Sequence, residues 1–307
     1  MPENGNSDPI TAGIRRTLEY FELFNYPLLP AEIHRFHPLD CSVEEILTTL
    51  EIMQTGGTVF CSRDGFYTIS KHESWSDKRT AGNIRAQALL SRSGRFTRII
   101  SSFPFVDAIA ISGSLSKFYA GKNADIDYFI ITARNRLWIA RSLLHLFKKL
   151  TFIAGYQHYF CMNYFIDTEA FVLTDKNIYT AIELATMIPV YGQDKVVGMM
   201  KLNTWLRDYL PNDTGSLNPD YLESARPERI KHLAERVINT LNPEKLNIFL
   251  MRLTDRKWRA KWSRKGFPMA DYNRAFHTSL HISKNHPADF QKRILLALGD
   301  NAGLTAN

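Results

Sequence analysis

VDAIAISGSLSKFYAGKNADIDYFIIT, Val106 to Thr132, decides how the rest of the chain is read. Val106 to Ser112 is β-prone and runs into Gly113-Ser114. Glycine there permits a sharp turn and a close approach of backbone to ligand, and the N–H groups that follow can face an anion. Ser114 adds a hydroxyl donor, so the turn suits a β- or γ-phosphate. Asp125 and Asp127 open the next β-prone run, DIDYFIIT. Residues i and i+2 of a strand share a face, which sets the two carboxylates together and turns Ile126 inward. Adjacent carboxylates raise one another's proton affinity unless a cation lies between them. Mg²⁺, with Mn²⁺ as the alternative, answers that need, because it takes hard oxygen ligands and keeps waters that phosphate oxygens replace. An isolated Asp-x-Asp is common at strand ends; a merely structural sheet has no reason to set it beside an anion-receptive turn.

The order of strand, Gly113-Ser114, an eleven-residue step from Ser114 to Asp125, Asp-Ile-Asp and apolar strand resembles the defining motif of the DNA polymerase beta-like nucleotidyltransferase superfamily. The likeness is closest over Ile109 to Thr132, looser to about Gly192, and greatest to bacterial nucleotidyltransferase-domain proteins with an N-terminal winged-helix segment. It implies that Gly113 and Ser114 grip a triphosphate and that Asp125 and Asp127 bind the catalytic metal. Members generally carry a third carboxylate on a later neighbouring strand. The candidate strand is His158 to Ile166, and Asn163 and Asp167 at its end share one face by parity. Asn163 offers a neutral carbonyl ligand that cannot act as a base; Asp167 requires the strand to run further. Ala124 stands where relatives often have Ser.

Two cations are candidates for phosphate. Lys117 lies between the two halves of the motif and is either a mobile counter-charge or part of a basic loop, with Lys122 the weaker candidate. Arg141, on a helix carrying Leu137, Trp138, Leu144 and Phe147, either reaches back toward phosphate or stabilises the surface.

Upstream, Thr11 to Phe24 has helical spacing at Ile14, Leu18, Phe21 and Phe24. A short helix follows over Ala31 to Phe36. Ser42 with Glu45 has capping-box spacing before a third helix that Gly56-Gly57 stops. Asp64-Gly65 between β-prone runs reads as a hairpin. Residues 10–72 therefore form a winged helix-turn-helix pattern. Its third helix carries Glu44, Glu45 and Glu51 and no Lys or Arg, so nucleic acid is a possible but disfavoured partner, and packing or partner recruitment is the alternative. A long helix over Lys78 to Ser102, with its arginines as a solvated face, leads into a core spanning 78–175.

Residues 176–299 are mainly helical by pattern, a unit of the kind that closes the acceptor side of the cleft in many nucleotidyltransferases. Met251 to Lys265 holds seven basic residues, one acidic residue, Trp258 and Trp262. Either the tryptophans pack inward with the cations solvated, or the stretch meets a polyanion. His277 and His281 lack further ligands and read as incidental.

The 307 residues are 45% hydrophobic and 22% charged, the balance of a soluble globular protein. Both ends are expected to fray. A net charge of +7 favours anionic partners without choosing among them. No run nears the roughly 20 apolar residues of a membrane span, and no leader pattern is visible, which points to the cytoplasm without transmembrane association. Cys41, Cys61 and Cys161 lack metal-ligand spacing and read as buried small hydrophobes. The expectation is an α+β protein: a small mixed-sheet nucleotidyltransferase core between a winged helix-turn-helix and a C-terminal helical region. It would move a nucleoside monophosphate from a nucleoside triphosphate, ATP by family habit, to an unidentified hydroxyl acceptor with release of pyrophosphate. The alternative is a nucleotide-binding regulatory or interaction protein, DNA-binding through the first module.

Overall fold

A computed structural model describes residues 8–151, 159–215 and 229–300. The chain is α+β, with a small mixed sheet amid helices. Asp8 accepts the Thr11 N–H and Pro9 takes the first turn of α1 (Pro9–Glu22), whose Ile14, Leu18 and Phe21 are buried. The helix stops before Phe24, because Asn25 turns the chain at φ 54°. Phe24 is thereby 39% exposed instead of completing the inner stripe. α2 (Pro30–Phe36) and α3 (Val43–Thr55) follow, the latter opened by the Ser42/Glu45 capping box that the sequence indicates. The short hairpin β1 (Phe60–Cys61) and β2 (Tyr67–Thr68) turns at Gly65, φ 78°.

α4 (Glu73–Ser101) begins earlier than the sequence suggests, and Arg79 departs from the solvated face expected of it. It is buried, bonded to Glu32 Oε1 at 2.6 Å and to the Pro27 carbonyl, and its guanidinium lies 3.8 Å from the Tyr26 ring centroid. The long helix is thus clamped to the N-terminal helices by a charge whose partners were unreadable from spacing.

The main sheet is formed by β3 (Val106–Ser112), β4 (Asp127–Thr132), β5 (Cys161–Asp167), β6 (Ile188–Tyr191) and β7 (Ile282–Lys284), in the order β6-β3-β4-β5-β7. Only the β4–β5 pair is parallel. Between β3 and β4 stands the one-turn α5 (Gly113–Ser116); α6 (Leu137–Thr151) makes the crossover toward β5. α7 (Ile178–Ala185), α8 (Gln193–Leu202), α9 (Leu206–Tyr209), α10 (Arg229–Asn239), α11 (Pro243–Arg264), α12 (Tyr272–Ala275) and α13 (Phe290–Ala297) complete the described α-helices.

Strand alternation divides the apolar residues between two layers. Ala108, Ala110, Phe129, Ile131 and Ile166 face α1 to α3, α7, α8 and α13 in one continuous cluster, so the N-terminal helices share a core with the sheet. Ile109, Ile111, Tyr128, Ile130 and Phe165 face α4 and α6 on the other side, where Leu246 and Leu250 of α11 also pack. No helix among the described residues is long and apolar enough to cross a membrane.

The helices after residue 176 divide between the layers: α7, α8 and α13 join the first and α11 the second. Asn247 of α11 accepts the Trp138 N–H at 2.8 Å, which fixes α11 on α6. Trp258 and Trp262 turn inward onto Phe276 while their basic neighbours stay outside, the packing alternative of the two posed by that stretch. The three cysteines are free and only partly buried, less enclosed than their sequence context indicates. The expected fraying at the extreme ends, and His158 at the start of the predicted strand, fall outside the described residues.

Candidate functional site

Ser112 and Asp127 are register partners at the ends of β3 and β4, and the chain turns at Gly113 beside them. Gly113 has φ 69°, and a Cβ built on it would lie 2.7 Å from Asp127 Oδ2. Glycine is therefore required twice, by the left-handed backbone and by the approach of the carboxylate. The sequence motif becomes a physical contact: turn and Asp127 are pressed together at one sheet end.

Asp127 is enclosed. Burial is the main cause that pushes its carboxyl up to about 6; the charges of Glu183 and Asp125 add to the rise, while the Cys161 thiol and Lys117 oppose it. Asp125 precedes the strand instead of opening it, since β4 begins at Asp127, yet remains close enough to act on that carboxyl.

Asn163, and not Asp167, stands beside the aspartate. Tyr128 pairs with Met162 and Phe129 with Tyr164, leaving Asn163 as the extra residue of a β-bulge. Its amide Nδ2 is 3.3 Å from Asp127 Oδ1 and 3.0 Å from Cys161 Sγ. The bulge also reverses the parity on which Asp167 was placed. Asp167 pairs with Thr132 at the far end of the sheet, has no exposed surface, accepts the N–H groups of Asn135 and Glu169, and meets His281 Nδ1 at 2.9 Å. It is a structural clamp, and His281 is its partner rather than an incidental histidine.

Arg141 is likewise remote. It lies on the α6 side of the sheet, buried among Trp138, Phe165 and Trp258, with its guanidinium 4.5 Å from the Trp258 ring centroid. Burial pushes its pKa down to about 9. The sheet separates it from Asp127, so it is not a phosphate ligand here. Lys117 does sit at the site. Its Nζ is 2.7 Å from Glu183 Oε1 and 3.1 Å from the Gly113 carbonyl, while Gly113 N–H points to Glu183 Oε2 at 3.3 Å. Ser114 is exposed on the same turn.

Glu183 and Cys161 escaped the sequence reading. Glu183 comes from α7, 70 residues beyond Gly113, and looks like an ordinary helix acid. Cys161 opens β5, and burial followed by the charge of Asp127 pushes its thiol up to about 12, so it stays protonated. Parity with Asn163 was the one signal for Cys161; none existed for Glu183.

Ser112, Gly113, Ser114, Lys117, Asp127, Asn163 and Glu183 border a cavity of about 460 Å³, within the range of small-molecule sites. Its other walls come from α1 and the turn after it, from Tyr119 and Tyr179, and from residues 285–290. Among the described residues no group of three or more His, Cys, Asp or Glu side chains is placed to hold a metal ion. The hard-oxygen donors here are the Asp125 and Asp127 carboxylates, in an environment that disfavours the unneutralised anion, while Asn163 turns its amide nitrogen, not its oxygen, toward Asp127. That set fits Mg²⁺ of the kind held by one or two carboxylates together with substrate phosphates, not one caged by protein alone. Comparison with protein-family models, curated proteins and solved structures finds no match to this chain.

Proposed function

We propose that the chain is a metal-dependent nucleotidyltransferase of the DNA polymerase beta-like type, with the sheet and its Gly113 turn as the catalytic core and the N-terminal helices and hairpin as a winged-helix module. The observation that carries this reading is the contact between Gly113 and Asp127. A phosphate-sized anion at the turn lies beside the carboxylates that would hold its counter-ion. Asp125 and Asp127 would hold Mg²⁺, which on binding would neutralise triphosphate charge and lower the pKa of an acceptor hydroxyl. The chain itself supplies the rest. Gly113 N–H and Lys117 offer donors to phosphate oxygens once Glu183 yields them, and Asn163 orients Asp127. The donor is a nucleoside triphosphate, with ATP the family expectation, and pyrophosphate leaves as the acceptor hydroxyl attacks in line.

A second reading, a nucleotide-binding protein of regulatory role without turnover, is favoured by Asn163. An amide in place of a third carboxylate cannot take the acceptor's proton. DNA binding by the first module draws no support from α3, which bears Glu44, Glu45 and Glu51. The deciding measurement is Mg²⁺-dependent binding of labelled nucleotides, followed by pyrophosphate release across an acceptor panel. Both readings predict binding that is lost in the double variant Asp125→Asn/Asp127→Asn, and only the first predicts release. Neither binding nor release, with the double variant indistinguishable from wild type, sinks both.

A further inference from the structure

The cavity has two unlike halves. One is the carboxylate and turn region already described. The other is walled by aromatic rings from α1 and the turn that follows it, chiefly Tyr20, Phe24 and Tyr26, with Tyr119 and Phe290 beside them. These rings are held in place. Tyr26 donates its hydroxyl to the Lys117 carbonyl at 2.5 Å and meets Tyr119 edge-on, with centroids 5.7 Å apart. Tyr119 in turn lies where only a glycine allows it, since a Cβ on Gly82 would come within 2.3 Å of its ring.

Resting on the transfer reading, we infer that this ring-walled half is a small-molecule site built by α1 and the turn after it, and that it takes a flat, uncharged ring carrying hydrogen-bonding groups rather than the end of a nucleic-acid or protein chain. Aromatic walls offer stacking and edge contacts to a flat ring. Polar side chains stand among the rings on the same lining: Tyr20, Asn285 and His286. A flat ring carrying donors and acceptors can meet both the aromatic and the polar parts of such a wall. Charge excludes a polyanion. Among the described residues Lys117 is the one lysine or arginine on the lining and is paired with Glu183, and His286 is held neutral by burial, its pKa pushed down to about 4. A strand of nucleic acid needs a basic groove along its backbone.

The ring has two chemical sources, the base of the triphosphate donor or the body of the acceptor. A ligand-detected NMR screen of small neutral ring compounds, with the four ribonucleosides among them, separates these. It is run on the wild-type chain and on Phe24→Ala and Phe290→Ala, whose side chains are 39% and 43% exposed and so lie outside the tight core. Ring compounds should bind the wild type and weaken at least fivefold in either variant. Hits confined to nucleosides assign the ring to the donor, and hits among other compounds assign it to the acceptor. The inference is overturned if no ring compound depends on Phe24 or Phe290, or if a single-stranded dodecanucleotide binds more tightly than every ring compound and loses affinity in both variants. Titration of Mg²⁺-pyrophosphate into wild type and Asp127→Asn tests the transfer reading separately, because it probes the turn and carboxylates without any ring.

Discussion

Glu183 places one carboxylate oxygen 2.7 Å from Lys117 Nζ and the other 3.3 Å from the Gly113 N–H, filling with the chain's own charge the place where an incoming phosphate would be held. A phosphate and this carboxylate compete for the same two donors. Glu183→Gln keeps the shape, removes the charge and releases Lys117, and should tighten Mg²⁺-triphosphate binding by roughly tenfold, about 1.4 kcal/mol. Isothermal titration at fixed Mg²⁺ measures it. Equal or weaker binding in the variant means that Glu183 serves as a ligand and not as a competitor.

Asn163 gives a second, opposite lever. An aspartate there would bring a further carboxylate to within about the 3.3 Å that now separates the amide from Asp127. Without a cation the two would repel in a poorly solvated place, at a cost of ~2 kcal/mol and a melting point lower by roughly 3 °C. Mg²⁺ should restore most of that loss in Asn163→Asp and move wild type far less. Thermal scans with and without Mg²⁺ decide it; a variant that melts low and ignores Mg²⁺ counts against a cation at this position.

The parts of this site that were legible in the sequence are those that lie within one local segment. Gly113, Lys117 and Asp127 belong to a single strand-turn-strand unit, so a motif and strand parity suffice to bring them together. What failed was whatever depends on register or on a distant partner. One extra residue at Asn163 reversed the parity assumed for Asp167. Arg141 was misplaced because helical spacing says nothing about which face of the sheet a helix covers. Glu183 was invisible because α7 reaches the turn only through tertiary packing, and the ring wall because residues 20–26 and 285–290 meet across nearly the whole chain. Secondary elements fared better: the Ser42/Glu45 cap, the Gly65 hairpin and the β3 and β4 strands carry their instructions locally.

Asp127 should make the chain less stable as its own site becomes charged. Its carboxyl titrates near 6 when folded against an ordinary value of 3.8, so between these pH values the folded state holds more protons than the unfolded state. Stability from this group is therefore greatest at low pH and falls as pH rises through that window. Asp127→Asn never ionises and should be more stable than wild type at pH 7.5, on the order of 2 kcal/mol, with the gap closing near pH 4. Urea unfolding at both values measures the gap. A variant weakened equally at both would show that the ionised carboxylate is not under strain.

Asp167 supplies the contrasting case, a carboxylate important to the fold and indifferent to the ligand. It accepts the Asn135 N–H at 2.9 Å and the Glu169 N–H at 3.0 Å while its side chain also meets His281. Asn135 stands at φ 55°, a turn conformation that this hydrogen bond helps to hold just before α6 begins. Asp167→Ala leaves two backbone donors and an imidazole without their acceptor, a loss of roughly 2–4 kcal/mol, whereas Asp167→Asn keeps one oxygen for one of them and should lose less. The melting order should therefore be wild type, then the Asn variant, then the Ala variant. Mg²⁺-nucleotide affinity, measured well below the lowest of these melting points, should stay within about twofold throughout, because the bonded network lies at the far end of the sheet from Gly113. A loss of affinity in the folded Asn variant would return Asp167 to the binding site and contradict the register that the Asn163 bulge sets.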